Sequence, residues 1–233
     1  MKKIVFVAAM LLAMVGAKAQ TNIQEMYDFN RGHFTTTLEM FKSDNWGSTF
    51  FFTDIYHPNQ IMPTGYYTEI SRALNFWHGT PLNAFSLHLE WNGGQFANNC
   101  YLFGVEYFLH NADYSNTFTF ELMYKNIHGM NNYLPFQFTF VWGLSNIFGA
   151  NGLSFSGFLD IWSENTFGEN TIVALAEPQL WYNVGRHFNC PNLMVGGEIE
   201  LAYNFAGGYH SGLAWAKNEG FNVAPCLGIK WAF

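Results

Sequence analysis

Charge is scarce in this sequence. Only 12% of residues are Asp, Glu, Lys or Arg, whereas 19% are aromatic; a soluble globular domain carries about 25% charged residues. Cysteine is scarce too. Cys100, Cys190 and Cys226 are odd in number and far apart, so they fit neither a disulfide framework nor a zinc cluster and are read as free thiols. Beyond residue 19 no apolar run is long enough for a transmembrane helix. Basic residues are few. Without Lys2, Lys3 and Lys18 of the leader described below, seven face seventeen acidic ones, a net charge of −10. A surface of that sign excludes nucleic acid as a partner. No G-x-S-x-G, H-E-x-x-H, P-loop or G-x-G-x-x-G motif is present, and no catalytic residue, cofactor or metal is expected.

What is present begins with a leader. Lys2 and Lys3 precede an apolar run from Ile4 to Val15, and Ala17-Lys-Ala19 offers small residues where a signal peptidase reads. Residues 1–19 are therefore expected to be a removed secretory signal, and 20–233 a single domain beginning at Gln20. No cysteine follows the cut, so no lipid anchor is expected.

The far end of the chain shows the governing pattern. Phe221, Val223, Pro225, Leu227, Ile229, Trp231 and Phe233 are apolar, while Asn222, Ala224, Cys226, Gly228, Lys230 and Ala232 between them are small or polar. Successive strand residues point to opposite faces, so this is one greasy face backed by one thin, polar face. Transmembrane barrel strands need that division, apolar toward lipid and polar toward the lumen. An aromatic C-terminus of this kind resembles the strand that outer-membrane barrels present to their assembly machinery. The same period recurs in 84–92, 116–126, 136–142 and 195–205, and less cleanly in 23–29, 33–42, 47–56, 65–77, 98–109, 153–163 and 171–183. With 220–233 this predicts an all-β fold: a transmembrane antiparallel barrel of about twelve strands in the bacterial outer membrane, surrounded by its lipid. An even count puts both termini on the periplasmic side and the longest connection, 206–219, outside the cell; the other connections read as short. In 65–77 Glu69 and Arg72 share a face only if a bulge intervenes.

Charge sets the orientation, because a lipid-facing Lys or Arg near the midplane costs roughly 2–4 kcal/mol. Glu39, Asp54, Glu69, Glu90, Glu106, Glu121, Asp160, Glu177, Glu198 and Glu200 are thus expected to face inward, against Lys125, Lys230 and, with a bulge, Arg72. Such a lumen attracts cations, tolerates neutral polar solutes and repels phosphates and carboxylates. Aromatics share these rows: Phe50, Phe52 and Tyr56 with Asp54, Phe158 and Trp162 with Asp160, and Trp181 with Glu177. Alternating rings and carboxylates suit a flat, hydroxylated ligand, by stacking and by hydrogen bonds. Space filling in a narrow barrel explains the same rings, and both readings stay open. His88 and Glu90 lie on one face, but no third metal ligand is visible, so they read as part of a hydrogen-bond network. Glu198 and Glu200 read as solvated lining.

Thr37-Leu-Glu-Met-Phe41, a turn at Asp44-Asn-Trp46 and Phe50-Phe-Phe-Thr-Asp-Ile-Tyr56 together resemble the opening of the nucleoside-specific, Tsx-like family of outer-membrane channels. Weaker matches are Thr68-Glu-Ile70, Phe96-Ala-Asn-Asn99, Ser156-Gly-Phe-Leu-Asp-Ile-Trp162 and the terminal Gly228-Ile-Lys-Trp-Ala-Phe233. The sequence is more similar still to a branch of such barrels from Bacteroidetes-type bacteria. The resemblance implies a monomeric twelve-stranded barrel with a narrow pore that passes nucleosides, its site carried by Glu39, Phe52, Asp54, Tyr56 and Asp160. The expectation is therefore a passive channel for small neutral or cationic solutes, nucleosides foremost. The alternatives are an enzyme acting on lipid or peptide at the barrel rim, which would need a Ser or Asp beside a His, and a plugged structural or adhesion barrel.

Overall fold

The computed structural model describes residues 20–58, 63–95, 97–166, 169–205 and 220–233; the expected leader 1–19 and the connection 206–219 lie outside the described residues. The chain is a procession of strands: β1 (Gln20–Asp28), β2 (His33–Asp44), β3 (Gly47–His57), β4 (Gly65–Leu74), β5 (Phe85–Gly94) and β6 (Cys100–His110). There follow β7 (Asn116–Ile127), β8 (Phe136–Ser145), β9 (Leu153–Thr166), β10 (Glu169–Ala176), β11 (Gln179–Tyr182), β12 (Leu193–Tyr203) and β13 (Phe221–Ala232). Each crossing pairs antiparallel with the next, and β13 closes the sheet on β1, from Asn22↔Ala232 to Asp28↔Cys226. Closure leaves no unpaired edge, the condition for a sheet to stand in lipid.

β10 and β11 are one crossing. Both pair with β9 and β12 in a single continuous register, and only Glu177-Pro178 separates them, since proline has no N–H for the ladder. The barrel accordingly has twelve crossings. No helix among the described residues is long and apolar enough to cross a membrane; the strands do so.

Alternation decides which side is wet. Outward residues such as Phe103, Leu122 and Leu227 are more than half exposed and form the lipid-facing belt. β3 and β4 pair without interruption from Gly47↔Leu74 to Tyr56↔Gly65, so no bulge is needed. Glu69 faces in. Arg72 faces out, contrary to an inward placement, at the barrel end that carries the termini, where it meets Asp44 at 2.8 Å and Thr49 at 3.0 Å. The turn beside it is tight. Trp46 N–H donates to Asp44 Oδ1, and at Gly47 (φ +135) a side chain would collide with the Ala73 carbonyl.

The connections at this end are not uniformly short. Strand β4 stops at Leu74, and 75–84 forms its own hydrogen-bonded loop, with Asn75 bonded to Trp46 and Asn83. Residues 183–192 likewise hold a 3-10 turn, Val184–His187, capped by Asn183. Side-chain caps satisfy backbone groups there that the alternation pattern does not register. All three cysteines are free.

Candidate functional site

Strand register carries the inner row unbroken around the barrel: Asn22↔Glu39, Glu39↔Phe52, Glu69↔Asn92, Glu106↔Glu121, Thr139↔Asp160 and Gln179↔Glu198 each share its inner face. By the same alternation Phe50, Asp54, Tyr56, Glu90, Phe158, Trp162, Glu177 and Trp181 all point inward. They do not form one site. Two charged groups stand on opposite walls.

The first is built on β1, β3, β12 and the turn 29–32. Asp28 Oδ1 accepts the backbone N–H groups of Asn30 and Arg31, each at 2.8 Å, and Gly32 (φ +71) completes the turn. That fold-back sends Arg31 into the barrel, 3.0 Å from Asp28 and paired with Glu200. Burial works against the guanidinium charge, but Glu200 and Asp28 outweigh it and raise the Arg31 pKa, so the group is held ionised. Asp54 accepts from Thr37 at 2.6 Å within the field of Arg31 and Glu200, Glu198 from Gln179 at 2.7 Å, and Glu39 from Asn22 at 2.8 Å.

The second is built on β4 to β9. His88 Nδ1 lies 3.0 Å from Glu106 and 3.8 Å from Glu121, and Nε2 lies 3.3 Å from Glu90. The sequence offered His88 and Glu90 no third group; strand pairing supplies two, because β6 and β7 bring Glu106 and Glu121 to the same level. Asp160 accepts from Thr139, and Glu69 from Tyr67. Lys125 donates to Gln137 at 2.6 Å and stands 3.9 Å over the Trp162 ring.

The inward aromatics divide by exposure. Trp162 is 3% exposed, capped by Lys125, met edge-on by Phe205 and bonded through Nε1 to Glu164 at 2.8 Å. Trp181 is 1% exposed beneath Lys230 at 4.3 Å and donates to Gln179. It sits against Gly196, where a side chain would strike its ring. Phe50, Phe52, Tyr56 and Phe158 keep part of their surface open. Tyr67 on β4 packs against the apolar cluster around Trp162 and also lies 6.0 Å from Phe52. Tyr67 thus touches both the Phe52 ring and the Trp162 cluster and narrows the lumen between them. Gln24, Met123, Lys125 and Glu164 are also buried, so the interior is lined closely by side chains.

Asp28, Arg31 and Glu164 were not legible as site residues. Glu164 continues the Phe158, Asp160, Trp162 alternation by one step, which is the signal that would have found it. Arg31 lies in a turn, where period-two reasoning is silent. One polar set faces outward: Thr36 Oγ1 donates to Glu25 at 2.5 Å and lies 2.9 Å from His57 Nε2. In a nucleophilic relay the carboxylate orients the imidazole; here it contacts the hydroxyl instead.

A closed antiparallel barrel with an apolar outer belt and a charged, hydrogen-bonded inner face is an outer-membrane β-barrel. The chain belongs to the family described as a domain of unknown function, DUF5020, whose model matches residues 20–233. Among solved structures it is similar to the NanC porin at 12% identity and a TM-score of 0.54, over 91% of this chain and 98% of that one. It is also similar to the outer membrane protein Omp33 of Acinetobacter baumannii at 10% identity and a TM-score of 0.43, over 93% and 98%. A third similarity is to OccD3 (OpdP) of Pseudomonas aeruginosa at 10% identity and a TM-score of 0.34, over 92% and 90%. The NanC likeness speaks for the fold. No curated protein sequence matches the chain.

Proposed function

We propose that this barrel is a passive outer-membrane channel for small cationic and neutral polar solutes, with nucleosides as its solute class. Both termini face the periplasm in this reading, Gln20 begins the mature chain, and the C-terminal strand engages the assembly machinery. The observation that carries the reading is the inner face. Acids on both walls outnumber Arg31, His88, Lys125 and Lys230, and the partly open rings of Phe52 and Phe158 lie among them. A narrow acidic passage draws cations and rejects phosphates, while an open ring stacks a base. The outward Thr36 set does not favour an enzyme, for the geometric reason given above.

Blocking of single-channel current tests this. Nucleosides should reduce the current of the refolded barrel, and nucleoside monophosphates should not. Phe52→Ala should weaken nucleoside block by the roughly 1–3 kcal/mol of one stacked base and leave block by ribose unchanged. Block by monophosphates but not by nucleosides would contradict the reading.

A further inference from the structure

The His88 group has an electrostatic problem that its own residues leave unsolved. Glu106 and Glu121 are directly opposed on β6 and β7, both facing inward, and like charges so placed repel. Glu90 approaches the same imidazole from its other side, at 3.3 Å. His88 is 4% exposed and Glu121 7%, so water screens the group poorly. One imidazole, even protonated, leaves three carboxylates undercompensated. The nearest inward lysine does not help, because Lys125 is engaged by Gln137 and the Trp162 ring. Gly104 is part of the same close packing. It stands opposite His88 on β6 and packs so closely on β7 that a side chain would collide with the Leu122 carbonyl.

A second observation points the same way. Asn92 is 3% exposed and donates its amide to Glu90 Oε1 at 3.1 Å, while its own Oδ1 has no hydrogen-bond partner among the described residues. A buried carbonyl oxygen without a donor, beside clustered carboxylates, is suited to a cation.

We infer that His88, Glu90 and Glu121 form a site for a divalent transition-metal ion inside the barrel, with Zn2+ the best match. Ligand atoms of these three residues lie within 4.8 Å of one another. One nitrogen and carboxylate oxygens are a donor set that zinc accepts, whereas Mg2+ and Ca2+ take oxygen alone. Nε2, 3.3 Å from Glu90, is the nitrogen offered to the ion. Glu106, 3.0 Å from Nδ1, is the positioning residue that holds the ring by its other nitrogen, and Glu121, which approaches Nδ1 at 3.8 Å, reaches the ion by a turn of its carboxylate. Asn92, bonded to Glu90 through its amide nitrogen, adjoins the site. The ion neutralises the opposed carboxylates, and this inference does not depend on whether the barrel conducts.

Equilibrium binding tests it. The mature barrel, folded in detergent and carrying Cys190→Ser to remove a partly exposed thiol, is stripped with chelator and titrated calorimetrically with Zn2+ alone. About one ion per chain should bind, and excess Mg2+ should not compete. His88→Ala and Glu121→Gln should each abolish uptake. Glu106→Gln should retain the stoichiometry and weaken affinity about tenfold to hundredfold. Co2+ should give the visible absorption of a low-coordinate site in the parent and none in His88→Ala. Heat-modifiable migration in electrophoresis confirms that each variant is folded, and Glu90→Gln replaces any that is not. No uptake by the folded parent, or uptake unchanged by both His88→Ala and Glu90→Gln, overturns the inference.

Discussion

The two walls of this barrel solve one problem with different cations. Near β1 and β12 a turn folds inward and delivers Arg31 between Asp28 and Glu200. Near β5 to β7 the carboxylates gather on His88, which belongs to a strand. A guanidinium stays ionised at any pH a cell meets, whereas the charge of an imidazole depends on its surroundings. The first wall is therefore neutralised by a permanent charge, and the second by an imidazole together with the metal ion inferred above. An interior this acidic needs a cation on each side, and the strands alone supply only part of it.

The largest effect should come from the fixed cation. Arg31→Met leaves Glu200 and Asp28 facing each other in a buried setting, a loss on the order of 3–5 kcal/mol. Urea unfolding of the folded barrel in detergent reads it directly. Adding Glu200→Gln should recover part of that loss; no recovery would mean that Arg31 acts by packing alone.

His88→Leu should cost less, roughly 1–3 kcal/mol, because Glu90 keeps the Asn92 amide as a donor. The same unfolding experiment gives the ranking, and a larger loss than for Arg31→Met would reverse the comparison. Smaller still are the lysines over the tryptophans. Lys125→Met and Lys230→Met should each remove about 0.5–2 kcal/mol of cation–π stabilisation. They should also uncover the Trp162 and Trp181 rings, seen as a shift in tryptophan fluorescence.

These differences separate what the sequence showed from what it could not. The inward rows were legible because a charge facing lipid is costly, so Asp54, Glu90, Asp160 and Glu177 could point only one way. The twelve crossings were legible for the same reason. Arg72 was harder, since a rim position near Asp44 escapes that cost, and only the unbroken β3–β4 register rules out the bulge. Arg31 was invisible, because a turn has no period. The grouping of residues was also hidden. Asp54 and Asp160 share an alternation pattern and a chain direction, yet closure sets β3 and β9 on opposite walls. Which side chains meet across a lumen depends on tilt and stagger, quantities that belong to the closed sheet and to no single strand. Trp162 and Trp181 show the same limit: alternation pointed them inward, but only the structure shows lysines over their faces.

The measurement closest to the central claim is the reversal potential of the refolded barrel in a planar bilayer under a potassium chloride gradient. An interior in which acids outnumber bases on both walls should give a cation-selective current. Asp54→Asn on the Arg31 wall and Asp160→Asn on the His88 wall should each reduce that preference, and the double variant should reduce it further. An anion-selective parent, or a preference that neither variant moves, would contradict the account.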